Sequence, residues 1–238
     1  MIRIRGLSKE INGEAILSDI DLEIREGEIL VILGESGAGK SVFLQHLVGL
    51  RRPDRGSVEI NATDITQLSE RELLKVRKEI GYLFQEGALY DFMTIFENVA
   101  FPLEEHTELS EEEIRSRVME TLKLVGLEDA QEKYPVELSG GMKKRAALAR
   151  CVILNSKILF CDEPTSGLDP IRSQDISQLI LDLSRKLNAT TVITSHDIIN
   201  SFRIADRLAL IHEGRLWLVG TKHDFETSTD PFVRKFFS

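Results

Sequence analysis

The sequence predicts an α/β fold: a core built around a phosphate loop, with an N-terminal antiparallel β subdomain and an inserted α-helical subdomain. Three observations predict it. The apolar run Ile29-Leu30-Val31-Ile32-Leu33 leads directly into Gly34-Glu35-Ser36-Gly37-Ala38-Gly39-Lys40-Ser41, a G-x-x-x-x-G-K-[ST] pattern, and an amphipathic stretch with Phe43, Leu44, Leu47, Val48 and Leu50 follows it. Further continuous apolar runs, Gly81-Tyr82-Leu83-Phe84, Ile158-Leu159-Phe160-Cys161, Thr191-Val192-Ile193-Thr194 and Leu208-Ala209-Leu210-Ile211, have the composition of strands buried on both faces. Roughly over 88–155 the pattern changes to helical.

The elements follow in order. Ile2 and Ile4, Leu22 and Ile24, and Val58 and Ile60 alternate with polar residues, as half-buried antiparallel strands do. The strand before Gly34 and the helix after Ser41 make a nucleotide triphosphate site. Several backbone N–H groups must converge on phosphate oxygens there, and glycines at 34, 37 and 39 let the backbone approach. A random chain of this length would carry the pattern on the order of one time in a hundred, so its strand and helix context decides for nucleotide binding. Further along, Ser110 with Glu113 makes a capping box, Ile114, Val118, Leu122 and Val125 form an apolar stripe, and Gly126 ends that helix.

Composition narrows the partners. The 238 residues carry a net charge of −9, which argues against nucleic acid as a partner, since phosphate backbones are gripped mainly by Lys and Arg. The run Lys143-Lys144-Arg145 is expected to be a solvated helix face. No apolar run approaches a membrane span and no signal-peptide core precedes the first strand, so a cytoplasmic location is expected. Cys151 and Cys161 lack metal-ligand spacing and are expected as small buried hydrophobes without a disulfide.

Three segments say which chemistry the phosphate loop serves. The strand ending Cys161-Asp162-Glu163 offers Asp162 to Mg²⁺ and Glu163 to polarise an attacking water, where the plain alternative is a strand ending in exposed acids. Leu138-Ser139-Gly140-Gly141-Met142 opens a helix whose positive end makes a second anion site, or else a simple N-cap. Two phosphate-binding helix starts in one chain suggest a nucleotide sandwiched between two copies. Thr194-Ser195-His196-Asp197 leaves His196 at a strand end, where α/β folds place ligands and a γ-phosphate contact is within reach.

Together these motifs resemble the ATP-binding-cassette ATPases over nearly the whole chain. The resemblance implies ATP and Mg²⁺ as cofactors and a single cassette domain over 1–238, with a helical subdomain over 88–155 and a C-terminal β and tail region over 206–238. In that family's terms Gly34, Glu35, Ser36, Gly37, Ala38, Gly39, Lys40 and Ser41 are the Walker A loop, and Gln85 is the Q-loop glutamine. Ser139, Gly140 and Gly141 lie in the signature, Asp162 is the Walker B aspartate and Asp169 closes the D-loop. Glu163, His196 and Gln85 are then the catalytic group, and Ser41, Gln85 and Asp162 hold the metal. A head-to-tail homodimer is implied, in which Ser139 and Gly141 of one subunit close over ATP held by Lys40 of the other. One departure stands out: such ATPases commonly stack adenine on an aromatic residue after the first strand, where this chain has Ile11.

The stretch from Leu83 through Thr107 and the run Met142 through Arg150 are similar to the ATPase subunits of mammalian-cell-entry type lipid transporters. That likeness implies an integral membrane permease as partner, phospholipid as cargo, and a place on the cytoplasmic face of the inner membrane. It also implies a lipid-carrier protein and a small regulatory subunit as further partners. The alternatives are the ATPase of another importer or of a lipoprotein-release system, and a soluble cassette protein acting on nucleic acid or ribosomes. Ala88, Leu89, Tyr90, Phe92 and Met93 either form a groove for a partner's helix or fill the helical subdomain's own core.

Overall fold

The computed structural model describes residues 1–237; residue 238, the last of the expected C-terminal region, lies outside the described residues. The chain begins with β1 (Ile2–Ile11), β2 (Glu14–Ile24), β3 (Ile29–Leu33), α1 (Lys40–Leu47), β4 (Arg55–Ile60), β5 (Thr63–Asp64) and α2 (Glu70–Arg77). The middle holds β6 (Ile80–Leu83), α3 (Ile95–His106), α4 (Glu111–Leu124), α5 (Gly140–Val152), β7 (Ile158–Asp162) and α6 (Pro170–Leu187). It ends with β8 (Thr190–Ser195), α7 (Ile198–Ile204), β9 (Arg207–His212), β10 (Arg215–Gly220), α8 (Lys222–Glu226) and α9 (Pro231–Phe237). Two compact units result among the described residues, one from 1–76 with 190–237 and one from 77–189.

In the first unit, β1 lies between β2 and β4, antiparallel to both, and β5 follows β4. The alternation in sequence sets this register: Ile2 faces Ile24 and Ile60, and Ile4 faces Leu22 and Val58, so all six apolar side chains share the buried face. A second arrangement in this unit centres on β3, parallel to both β8 and β9, with β10 antiparallel on the far side of β9. Every residue of β3 is buried, which is why its run is uniformly apolar rather than alternating.

The start of β3 is fixed by polar contacts. Asp206 accepts a hydrogen bond from the Ile29 amide at 2.8 Å, and the Thr191 amide donates to the Glu28 carbonyl at 2.9 Å. The buried Glu28 carboxylate meets Arg207 at 3.1 Å and accepts from the Arg25 amide at 2.7 Å. With its partners in place this charge is satisfied, and removing one would leave the other buried and unpaired.

In the second unit, β6 and β7 form a parallel pair running from Ile80 opposite Ile158 to Leu83 opposite Cys161. The helices α3, α4 and α5 fall between these strands in sequence. Ser110 caps α4 in a full capping box with Glu113; Ile114, Val118 and Leu122 are buried along it, and Gly126 follows at φ 67°. Cys151 and Cys161 are free and buried, and burial raises both thiols, that of Cys151 to about 12, so neither supplies a thiolate. No helix among the described residues is long and apolar enough to cross a membrane.

A buried histidine lies on the helix that follows the phosphate loop. His46 is 1% exposed; its Nδ1 meets the Val42 carbonyl at 2.6 Å, and its Nε2 is buried without a hydrogen-bond partner. Burial, together with the charges of Lys9 and Arg51, holds the imidazole below its ordinary 6.5. The folded state thus takes up this proton later than the unfolded chain, and the resulting stability is lost as pH falls below 6.5. His46→Leu is expected to flatten the fall in unfolding free energy between pH 7 and 5, by at most about 1.4 kcal/mol per pH unit. Urea titrations at several pH values will show it, and parallel pH profiles would remove His46 from the acid sensitivity.

Candidate functional site

The phosphate loop leaves β3 at Gly34 and enters α1 at Lys40. A Cβ on Gly34 would lie 2.5 Å from the Ile211 carbonyl oxygen, so that position is fixed by close approach of backbone rather than by dihedral freedom. Gly39 requires glycine on both grounds: its φ is 94°, and a Cβ there would lie 2.9 Å from the Ile16 carbonyl oxygen. Gly39 caps α1 without a side-chain hydrogen bond, and no acid in the helix's first turn offsets its positive end, a feature that favours an anion. Lys40 is buried, and its ammonium donates to the carbonyls of Gly34 at 2.8 Å and Glu35 at 3.0 Å.

His196 belongs to the same unit. Leu33 is in register with Ser195 on β8, so His196 leaves its strand beside the point where the loop begins. The turn that carries it is tightly held: the Asp197 amide donates to Ser195 Oγ at 2.9 Å, and Asp197 caps α7 by accepting from the Asn200 amide at 3.1 Å. Ile11 is the last residue of β1, half-buried and opposite Glu14.

The second unit holds Gln85, Ser139, Gly140, Gly141, Asp162, Glu163 and Asp169. Asp162 ends β7, and Glu163 follows at φ 44°, a left-handed conformation that costs a non-glycine residue energy. Both carboxylates are buried rather than exposed at a strand end. Gln85 Nε2 lies 3.4 Å from Ser166 Oγ. Ser139 is the N-cap of α5, its hydroxyl accepting from the Met142 amide at 3.4 Å, and Asp169 is the N-cap of α6, accepting from the Arg172 amide at 3.1 Å. The burial of Tyr82, beside Asp162, pushes its phenol up, so it stays protonated.

Here the structure corrects the expectation of a solvated Lys143-Lys144-Arg145 face. Lys144 is buried and its ammonium donates to the Gln85 carbonyl, while Arg145 donates to the Val125 carbonyl at 2.9 Å at the end of α4. Desolvation pulls the Lys144 ammonium down, opposed by the carboxylates of Glu86, Glu163 and Asp162. Arg150 donates to the Gly87 carbonyl at 2.8 Å and faces the Tyr90 ring at 5.8 Å.

The loop after β6 runs on to a groove of about 420 Å³ whose lining includes Phe84, Ala88, Tyr90, Phe101, Pro102 and Arg150. Phe92 nearby is 75% exposed, so this stretch does not simply fill a core. The loop is shaped by Asn98, which is wholly buried: its side chain accepts from the Tyr90 amide at 2.8 Å and donates to the carbonyls of Tyr90 and Thr94, both at 3.0 Å. Asn98 was not singled out in the sequence, and Lys144 was read there only as part of a solvated basic run. A polar residue interrupting the apolar side of a helix is the signal each offers.

Ser41 offers a hydroxyl in the first unit, and Gln85 and Asp162 offer an amide and a carboxylate in the second. Donors of these kinds suit Mg²⁺, which binds few protein ligands and fills its remaining positions with water and phosphate oxygens.

Comparison with known proteins agrees with this chemistry. The ABC transporter family model matches residues 17–166. The chain is 46% identical over 237 residues to the probable ribonucleotide transport ATP-binding protein mkl of Mycobacterium leprae, a match that covers 100% of this chain and 68% of the relative. It spans about two thirds of the length of the mkl relatives it matches. It is 39% identical over 236 residues to the intermembrane phospholipid transport system ATP-binding protein MlaF of Haemophilus influenzae, covering 99% of this chain and 89% of that one. A solved dimeric structure of the ATP-binding cassette MJ0796, in a post-hydrolysis state bound to ADP and Pi, superposes with a TM-score of 0.86 at 33% identity, covering 93% of this chain and 98% of that one.

Asn98→Ala is expected to lower stability by about 2–3 kcal/mol, because the backbone groups of the loop lose their buried partner. Denaturant unfolding measures it, and a change below about 0.5 kcal/mol would mean that the loop holds its shape without Asn98.

Proposed function

We propose, for a chain that belongs to the ABC transporter family and is one of its ATPases, using ATP with Mg²⁺, that it powers a separate membrane permease whose cargo is phospholipid. The observation that carries the permease is the groove beside Gln85. Its apolar lining and the exposed Tyr90 and Phe92 suit a short cytoplasmic helix of a membrane partner, docked where it senses the loop that reaches the nucleotide. The cargo reading rests on the stretches 83–107 and 142–150 and on the MlaF relative, whose name says phospholipid transport. The mkl relative's name says ribonucleotide transport, which is the competing cargo. In this reading the chain works on the cytoplasmic face of the inner membrane, with a lipid-carrier protein and a small regulatory subunit as further partners.

The roles proposed for the side chains follow from their chemistry. Lys40, now bonded to two loop carbonyls, turns to the β- and γ-phosphates, and the amides of residues 34–41 take the remaining oxygens. Ser41, Gln85 and Asp162 are the residues that would hold Mg²⁺, which would supply charge neutralisation to the phosphates. Glu163 orients and deprotonates the attacking water, and its left-handed backbone carries the carboxylate off the line of β7. His196 contacts the γ-phosphate from the end of β8. Ser139, Gly140 and Gly141 of a second copy, together with Asp169, close the site in a head-to-tail dimer. The end of α5, whose first turn carries no acid, then faces the nucleotide's negative charge.

Glu163→Gln is expected to bind ATP as the parent does, to lose at least about 100-fold in turnover, and to accumulate as an ATP-bound dimer. Parental turnover in that variant would remove Glu163 from the mechanism. The groove is tested by Ala88→Asp, since Ala88 is exposed, lines the groove and sits at φ 50°, a conformation that aspartate tolerates. Copurification with the permease should fall at least about tenfold through the desolvated charge, with ATP affinity of the isolated subunit unchanged. Undiminished association would place the permease elsewhere.

A further inference from the structure

Lys144 is a lysine at an inward-facing position of α5, 8% exposed, with its ammonium on the main-chain carbonyl of Gln85. A neutral donor could serve a carbonyl without the desolvation that an ammonium suffers on burial, so a cation here needs a reason. Its surroundings supply one: the negative charges of Glu86, Glu163 and Asp162 all bear on it. A second cation of the same helix grips the same loop, Arg150 donating to the Gly87 carbonyl at 2.8 Å. Six residues of helix span about 9 Å, and two residues of extended loop about 7 Å, so the helix can hold both carbonyls without distortion of either element. Between the two grips lies Glu86, and just beyond them Ala88 and Tyr90 enter the groove.

We propose that Lys144 is a positioning residue for hydrolysis: by anchoring the Gln85 backbone to the helix that starts at Ser139, it aims the Gln85 side chain and ties that loop to α5. The proposal rests on the assignment of Gln85 to Mg²⁺ or its water made above. Lys144 does not touch nucleotide in this account. ATP affinity depends on the loop of residues 34–41, whereas the rate depends on where Gln85 points. Loss of the ammonium therefore falls on kcat, by about 10–100-fold, as for other groups that orient a metal's ligands. KM for ATP should stay within about twofold.

The test uses the full chain with Lys144→Met, Lys144→Arg and Gln85→Ala, and the Met and Ala changes combined. Steady-state kinetics, thermal unfolding, and amide hydrogen exchange of residues 84–90 without nucleotide are measured for each. The expected result is a slow Lys144→Met with near-parental KM, faster exchange over 84–90 and an unfolding temperature no lower than the parent's. Lys144→Arg, which keeps charge and donor, should restore most of the rate and the exchange protection. In the Gln85→Ala background Lys144→Met should add no further loss, the signature of one residue acting through another. Additive losses, parental kcat in Lys144→Met, or a rate loss accompanied by a lowered unfolding temperature and no rescue by arginine would each overturn the proposal. Parental kcat in Gln85→Ala alone would instead sink the role of Gln85, and the inference with it.

Discussion

The constraint on which the first unit's part of the site depends is the passage of the phosphate loop close to two backbone carbonyls. At its start Gly34 leaves no room for a Cβ against Ile211, and at its end Gly39 leaves none against Ile16. The approach to Ile211 follows from β3 being held between β8 and β9, with Leu33 opposite Ser195 on one side and Leu210 on the other. The clamp of Glu28, Arg207 and Asp206 at the other end of β3 keeps that register from slipping. The same register delivers His196. A wholly buried strand thus converts hydrophobic burial into the position of a polar loop.

In the second unit the corresponding organiser is α5. Its first residues form the glycine-rich start after Ser139, its middle places Lys144 under Gln85, and its end places Arg150 under Gly87 and beside Tyr90. One rigid element therefore connects a helix terminus suited to phosphate, a loop suited to sensing it and a groove suited to a partner. A buried cation is costly in such a helix unless it is satisfied, and here the Gln85 carbonyl and nearby carboxylates satisfy Lys144. Function and packing constrain the same few side chains.

Much of this was legible in the sequence. Uniform apolar runs identified the buried strands, alternation identified β1, β2 and β4 with their faces, and Ser110 with Glu113 marked the start of α4. Those signals are local, carried by neighbouring residues within one element. The role of Lys144 was not legible, because a lysine in a basic run looks solvated until a carbonyl 59 residues earlier is folded onto it. Asn98 hid for the same reason, since the backbone groups it satisfies belong to a loop whose course no periodicity describes. The left-handed backbone at Glu163 was equally silent: glutamate gives no hint of it, unlike glycine or asparagine. Motif spacing could identify Asp162 and Glu163, but their burial came only with the fold.

The central claim is a site completed in trans, the phosphate loop of one copy closed by the helix start of another. Mixing Lys40→Ala subunits with Ser139→Arg subunits and measuring ATP turnover tests it most directly. Each variant alone should be inactive, because every site in its dimer lacks one half. A mixed dimer retains one site with Lys40 from one copy and Ser139 from the other, and turnover should reappear as the two are combined. Mixed dimers that demonstrably form yet hydrolyse no ATP at any ratio would contradict the account.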